Sequence, residues 1–207
     1  QIEEIQEKIK LYVPNVSLGK ARKILENNHF VVISGIPGIG KTTLAEMLIY
    51  RYLNDGYALI KVTQNAQEAL DLYDKNKMQI IYYDDFLGRA FLQDKLNKNE
   101  DQTLVTLIKE AQKRKNLRLI MTTREFVLQQ ARNFSETLHY SDINLSKYIV
   151  DLEQYTKLIR AQILYNHLYY SALPDKLKTA LLEEKTYRTI VNHRNYNPRI
   201  IETMCNA

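Results

Sequence analysis

A glycine-rich pattern with a lysine and a threonine at its end is the part of the sequence best suited to chemistry. The pattern Gly-x-x-x-x-Gly-Lys-Thr spans Gly35 to Thr42, between an apolar run and a helix-forming stretch. Glycines permit positive φ, so successive N–H groups can point at phosphate oxygens while the following helix presents its positive dipole end. We therefore predict a phosphate-binding loop formed by Gly35, Ile36, Pro37, Gly38, Ile39, Gly40, Lys41, Thr42 and Thr43.

The last two residues of the pattern have side chains that suit a nucleotide and its metal ion. Lys41 can reach the β- and γ-phosphates, which makes it a candidate catalytic residue, and the Thr42 hydroxyl can ligate Mg²⁺. The competing interpretation is a glycine-rich turn beneath a helix with no ligand. The strand and helix predicted on either side make that interpretation the weaker one.

Two aspartates end a second apolar run. A strand is predicted from Gln79 to Asp84, and the carboxyl ends of parallel strands face the ligand crevice. We predict that Asp84 holds Mg²⁺ directly or through water and that Asp85 orients or deprotonates the attacking water. Because an ordinary aspartate, with a pKa of about 3.9, is a weak base at neutral pH, we expect slow hydrolysis. Alternatively, one of the pair only caps the next helix.

An arginine comes at the end of the strand predicted at 117–122, just after its last residue, in the run Thr122-Thr123-Arg124. Its planar guanidinium can make paired, charge-assisted hydrogen bonds to a γ-phosphate. This contact would exist only in the triphosphate state, so it would report hydrolysis to the rest of the molecule. The sequence equally permits an ion pair between Arg124 and a nearby carboxylate such as Glu125.

Strands and helices alternate through the first three quarters of the chain, which predicts an α/β fold with a parallel sheet and helices on both faces. Beyond residue 152 the apolar spacing becomes helical, with helices around Leu158 and starting at Pro174 and Pro198. We predict an N-terminal helix or linker from an upstream region at 1–16, a nucleotide-binding domain at 17–152 and a helical domain at 153–207. The predicted strands are 30–34, 57–62, 79–84, 117–122 and 148–150.

The composition is that of a folded protein with a mixed surface. Of 207 residues 45% are hydrophobic, and 29 basic and 24 acidic residues are interspersed, giving a net charge of +5. This modest excess does not indicate a nucleic-acid-binding surface. The sequence has no apolar run long enough to cross a membrane, no secretory signal and a single cysteine, Cys205, so we expect a cytoplasmic protein.

Taken together, these motifs resemble the STAND class of signal-transduction NTPases, which are relatives of the AAA+, NB-ARC and NACHT switches. More narrowly, they resemble the bacterial novel-STAND branch of multidomain immune and antiphage proteins. The resemblance implies a P-loop NTPase fold, a three-layer α/β/α sandwich whose five-stranded parallel sheet has the order 5-1-4-3-2, followed by a small helical lid. The segments that carry it are Ile33 to Ala45, Tyr82 to Arg89, Asn99 to Asp101, Thr122 to Glu125 and Asn195 to Arg199.

The same resemblance implies where the base of the nucleotide lies. Pro198 would touch the base, as the proline of the family's Gly-x-Pro element does, although Tyr196 stands here where that element has glycine. Tyr12 and Val13 lie where the family's adenine pocket begins. An ordinary turn before the core is the alternative at that place.

The resemblance also implies a function, an ATP-dependent switch with ATP or ADP and Mg²⁺ as ligands. A closed, diphosphate-bound form would exchange nucleotide on a trigger, open and self-associate, and so activate an effector domain; effector and sensor domains would lie outside this chain. Two alternatives remain open. One is a DNA-associated AAA+ loader, whose basic surface the sequence does not show. The other is a scaffold that binds nucleotide without hydrolysing it.

Overall fold

The computed structural model describes residues 2–86, 98–124, 148–152, 155–183 and 185–206. Its strands are β1 (Phe30–Gly35), β2 (Ala58–Val62), β3 (Gln79–Tyr83), β4 (Leu117–Arg124) and β5 (Ile149–Leu152). Its helices are α1 (Ile2–Leu11), α2 (Val16–Asn28), α3 (Lys41–Asn54), α4 (Ala66–Leu72), α5 (Lys98–Lys113), α6 (Lys157–Tyr170), α7 (Asp175–Glu183), α8 (Thr186–Asn192) and α9 (Pro198–Cys205).

The five strands form one parallel sheet in the order β2-β3-β4-β1-β5. Read from the other edge this is 5-1-4-3-2, so the predicted order is confirmed. Every residue of β1 and β3 is buried, as expected for parallel strands that are covered on both faces. Because all strands run the same way, the ends of β1, β3 and β4 meet at one edge of the sheet.

Helices cover both faces of the sheet, which confirms the three-layer α/β/α sandwich. Alternate residues of β1 point to opposite faces, so Phe30 and Val32 belong to one apolar cluster and Val31 and Ile33 to the other. The first cluster packs against α4 and α5, and the second against α1, α2 and α3. Residues that form the helix side of these clusters include Ala66, Ala69, Leu107 and Ile108 in the first, and Ile5, Ala21, Leu25, Leu44 and Leu48 in the second.

The strand ends differ slightly from the predicted ones, for identifiable reasons. β2 begins at Ala58 because the Tyr57 N–H donates to the Tyr52 carbonyl of the preceding helix, at 2.9 Å. β4 continues to Arg124 because it pairs with β1 as far as Gly35. The arginine predicted to follow the strand is therefore its last residue.

The C-terminal helices α6, α8 and α9 pack around an apolar cluster of their own, formed by Leu164, Val191, Ile201 and Cys205, and α7 packs against α8. We call these four helices the lid. The sequence predicted three helices here and missed α8, which starts after Lys185, a residue with a left-handed φ of 56°. Neither a proline nor a side-chain cap marks that start. The domain limits at 16 and 152 stay predictions.

Candidate functional site

The glycine-rich loop connects β1 to α3 through backbone conformations that favour glycine. Gly38 and Gly40 have φ of 78° and 99°, in the left-handed region. Gly35 has no room for a side chain, because a Cβ there would lie 2.9 Å from Ile39 Cγ2 and 3.2 Å from Leu152 Cβ. These positions therefore need glycine, and the loop leads directly into the N-terminus of α3, where backbone N–H groups are free to bind an anion.

The Lys41 ammonium lies against its own loop. Lys41 Nζ donates to the carbonyl oxygens of Gly35 and Ile36, each at 3.0 Å. Burial lowers the pKa of Lys41, an effect that the negative charge of Asp85 opposes. An ammonium group has three N–H donors, so one remains for a ligand at the mouth of the loop.

Asp84 follows β3 and accepts two hydroxyl hydrogen bonds on one oxygen. The Tyr82 hydroxyl donates to Asp84 Oδ1 at 2.8 Å, and the Thr122 hydroxyl donates to the same atom. Burial raises the pKa of the Tyr82 hydroxyl, an effect that the nearby Thr42 side chain opposes. The Asp84 carboxylate and the Thr42 side chain therefore both lie beside the Tyr82 hydroxyl.

This donor set fits Mg²⁺. Magnesium in nucleotide sites is held by one or two protein oxygen ligands, with phosphates and water completing its coordination. The Asp84 carboxylate and the Thr42 hydroxyl are oxygen donors of this kind, and both residues lie beside the Tyr82 hydroxyl. The residues predicted to bind the metal are thus brought together.

Asp85 has a strained backbone and an arginine partner. Its φ is 47°, uncommon for a residue other than glycine, and its N–H donates to Thr122 Oγ1 at 2.9 Å. Asp85 Oδ2 lies 3.3 Å from Arg124 Nη2, while Oδ1 is buried without a hydrogen-bond partner among the residues described. Arg124 is therefore paired with Asp85. Glu125, the partner suggested from the sequence, lies outside the described residues.

The sheet register explains why these side chains converge. Gly35 of β1 pairs with Arg124 of β4, and Tyr83 of β3 pairs with Met121. Lys41, Asp84, Asp85 and Arg124 therefore lie at the same edge, and the charges of the other three all affect the pKa of Lys41. The alternative prediction, that one aspartate caps a following helix, concerns residues 87–97, which lie outside the described part.

Beside the loop lies a cavity of about 370 Å³. Its walls combine the loop and the start of α3 with α1 and the lid. The predicted base-binding residues Tyr12, Val13 and Pro198 all line it, together with Gly38, Gly40, Lys41, Thr42 and Thr43. Gly35, Ile36, Pro37 and Ile39 shape the loop without lining this cavity, and Asp84, Asp85 and Arg124 lie at the strand ends. Sequence reasoning missed Lys8, Leu11, Tyr155, Ile163, His167, Arg199 and Glu202.

Two side chains bind the lid side of the molecule to carbonyl groups of the loop. Asn197 Nδ2 donates to the Pro37 carbonyl at 3.0 Å, while its Oδ1 caps α9 by accepting from the Arg199 N–H at 3.0 Å. Tyr155, between β5 and α6, donates its hydroxyl proton to the Ile39 carbonyl at 2.7 Å. Burial raises the pKa of Tyr155 to about 12. The lid is thus in direct contact with the loop.

The fold and the family profile together define the class of protein. A parallel sheet with the order 2-3-4-1-5, with a Gly-Lys-Thr loop between β1 and α3, is the fold of AAA+ P-loop structures. The sequence profile of the family described as Novel STAND NTPase 3 matches residues 12–170, and the chain belongs to that family. The predicted STAND resemblance is therefore confirmed. Among proteins with curated descriptions, none matches the sequence significantly.

Solved structures with the same fold are AAA+ proteins of low sequence identity. C. elegans PCH-2 has a TM-score of 0.61 at 15% identity, covering 98% of this chain and 64% of that one. Domain III of the replication initiation protein DnaA from Thermotoga maritima has a TM-score of 0.60 at 16% identity, covering 93% of this chain and 83% of that one. S. cerevisiae Hsp104, solved with casein, has a TM-score of 0.59 at 12% identity, covering 98% of this chain and 38% of that one. This chain thus spans less than two thirds of PCH-2 and of Hsp104. Such identities support the fold alone.

Of the helices in the described ranges, none is both long enough and apolar enough to cross a bilayer.

Proposed function

We propose that this chain is the nucleotide switch of a STAND signalling protein, binding ATP or ADP between the loop and the lid. The observation that carries the proposal is the cavity, whose walls come from both the loop and the lid. At its side, Asn197, the N-cap of the lid helix α9, donates a hydrogen bond to the loop. A ligand that touches both sides stabilises the closed arrangement in proportion to its differential affinity. Tyr12, Val13 and Pro198, which line this cavity, would contact the base.

In this proposal the loop N–H groups and Lys41 hold the phosphates. Thr42 and Asp84 hold Mg²⁺, which would neutralise phosphate charge when bound. Asp85 orients or deprotonates the attacking water. Its unusual backbone conformation, fixed by the bond from its N–H to Thr122, aims the carboxylate toward the strand ends.

We infer a change of partner for Arg124 between the nucleotide states. In the structure Arg124 pairs with Asp85 at 3.3 Å, and both side chains are partly exposed. Such a pair contributes at most about 1 kcal/mol, so a γ-phosphate, which carries more charge and more acceptor oxygens, can displace the carboxylate. Moving Arg124 to the phosphate would free Asp85 for the water, and loss of the phosphate would restore the pair.

Slow turnover, lid opening and self-association complete the proposed cycle. Because Asp85 is an aspartate, a weak base, each nucleotide state should persist, which suits a switch. Following the branch that the chain resembles, we place the switch in cytoplasmic antiphage defence, with effector and sensor domains fused to it. The proposed units are the linker 1–16, the NTPase domain 17–152 and the lid 153–207.

The most direct test is the nucleotide that the purified protein carries. We expect acid extraction followed by ion-exchange chromatography to release ADP. Adding ADP, or ATP with Mg²⁺, to nucleotide-stripped protein should raise its melting temperature by several degrees, since a ligand at about 100 times its Kd contributes about 2.7 kcal/mol. A protein that carries no nucleotide and whose melting temperature ignores both additions would contradict the proposal.

The contact between Asn197 and the loop gives a second prediction. Asn197→Ala removes the α9 cap and the bond to Pro37, which together contribute about 2 kcal/mol. We expect ADP to dissociate about tenfold faster, as measured by stopped-flow fluorescence with a labelled ADP. Asn195→Ala is the matched control, because Asn195 lies exposed in the same connection. Equal dissociation rates for the two variants would show that this contact does not hold the lid closed.

A further inference from the structure

We propose that Lys8, on the N-terminal helix α1, is a nucleotide-binding residue that donates a hydrogen bond to the nucleoside half of the ligand. This inference rests on the proposed function of the cavity. It assigns a side chain of α1 to the binding site, whereas the sequence suggested only a connecting helix for residues 1–16.

The position of Lys8 is fixed by an ion pair with the helix that follows the loop. Lys8 Nζ lies 2.7 Å from Glu46 Oε1, and Lys8 lines the cavity. Glu46 is largely covered, at 15% side-chain exposure, while Lys8 keeps 44%. The carboxylate therefore holds the ammonium at the wall without enclosing it.

The place of Glu46 on α3 shows which part of a nucleotide Lys8 would meet. Lys41 marks the phosphate end of the cavity, and Glu46 lies five residues further along the same helix. At a rise of 1.5 Å per residue, this is about 7.5 Å beyond the phosphate end. Lys8 thus faces the base or the ribose rather than the terminal phosphates.

Lys8 has hydrogen-bonding capacity left for a ligand. Among the described residues the one hydrogen-bond partner of its ammonium group is Glu46, and an ammonium carries three N–H donors. Purine ring nitrogens and ribose oxygens are acceptors of the kind that such a donor needs. Since Glu46 balances its charge, the contact would be a hydrogen bond more than a long-range attraction.

Helix α1 is held in place near both of its ends, so Lys8 is positioned before any ligand binds. Ile5 is buried in the core cluster shared with α3. At the other end of α1, the Leu11 carbonyl accepts a hydrogen bond from Asn166 Nδ2 of the lid helix α6, at 3.4 Å. A positioned donor loses little conformational freedom on binding, which favours affinity.

The same helix supplies a matched control. Lys10 is exposed and pairs with Glu7 at 2.8 Å, three residues away, and it does not line the cavity. Replacing Lys10 removes a lysine and an ion pair from α1, as replacing Lys8 does, without touching the site.

The test compares Lys8→Met with Lys10→Met by isothermal titration calorimetry of nucleotide-stripped protein. We expect Lys8→Met to lower the affinity for ADP and the affinity for ATP by a similar factor, about tenfold. The affinities of Lys10→Met should stay within about twofold of those of the parent. Lys8→Arg, which keeps donors at this place, should retain affinity within about threefold. Circular dichroism melting without nucleotide shows whether each variant is folded.

Two results would overturn the inference. One is a folded Lys8→Met that binds ADP as tightly as the parent does. The other is a loss of affinity for ATP that is more than fivefold greater than the loss of affinity for ADP, since this would place Lys8 at the γ-phosphate. If Lys8→Met does not fold, the affinity of Lys8→Ala, which also lacks a side-chain donor, takes its place against the same limits. A parent protein that binds neither nucleotide would instead refute the proposed function.

Discussion

Replacing Lys41 with alanine is expected to lower the affinity for ADP and ATP by about 100-fold or more. The ammonium lies inside the curve of the loop, bonded to Gly35 and Ile36, where it can reach phosphate oxygens. A hydrogen bond to a charged group contributes about 1.5–3 kcal/mol, and Lys41 would serve the β-phosphate of ADP and both the β- and γ-phosphates of ATP, so its loss removes about 3 kcal/mol of binding for ADP and more for ATP. Titration calorimetry of stripped protein measures this directly.

The fold should survive this change, because Lys41 is only partly buried and its replacement removes two hydrogen bonds that lie within one loop. Circular dichroism melting in the absence of nucleotide is therefore expected to be close to that of the parent. Lys20→Ala, at an exposed position of α2, serves as the control and should bind normally. Normal ADP affinity in Lys41→Ala would show that the loop is not the phosphate site.

Asp85→Asn is expected to lower the rate of ATP hydrolysis by about 100-fold or more while leaving ADP affinity within about threefold. A positioned general base contributes about 10²- to 10⁴-fold, and an amide cannot accept the proton. Asn also tolerates the left-handed backbone conformation found at this position, so the turn after β3 should persist. Phosphate release under multiple-turnover conditions measures the rate.

Asp151 supplies the control, since it is an exposed aspartate of β5 and pairs in register with Ser34 of β1. Asp151→Asn should hydrolyse ATP at the parental rate. If the parent and Asp85→Asn both bind nucleotide and neither hydrolyses it, the chain is a nucleotide-dependent scaffold rather than a hydrolytic switch. Equal, measurable rates in the two would assign the base to another group.

The parts of the site that follow from local sequence were predictable. The loop is a contiguous pattern whose glycines have a backbone requirement, and Asp84 and Arg124 come at the ends of apolar runs that could only be central strands. The parallel order brings such ends to one edge, so their convergence follows from topology. The strand order itself came from the family resemblance, because alternation of strands and helices does not determine it.

The remaining parts depend on contacts between distant segments. Lys8 and Glu202 line the same cavity from opposite ends of the chain, and neither lies in a pattern that marks a ligand. The partner of Arg124 could not be chosen from sequence, because Asp85 becomes its neighbour only through the turn after β3. An asparagine directly before a proline is typical of a helix N-cap, which Asn197 is, but the same side chain also reaches the loop.

The close fit between Asn197 and the loop has a mechanical consequence. A Cβ at position 38 would lie 2.8 Å from Asn197 Nδ2, so the lid occupies the space that the glycine leaves. The curvature of the loop and the seat of α9 cannot vary independently. If the loop closes around an anion, the Pro37 carbonyl and Gly38 would move, and the contacts of Asn197 with them would change. A small movement of the loop would therefore be transmitted to α9 through a single side-chain amide.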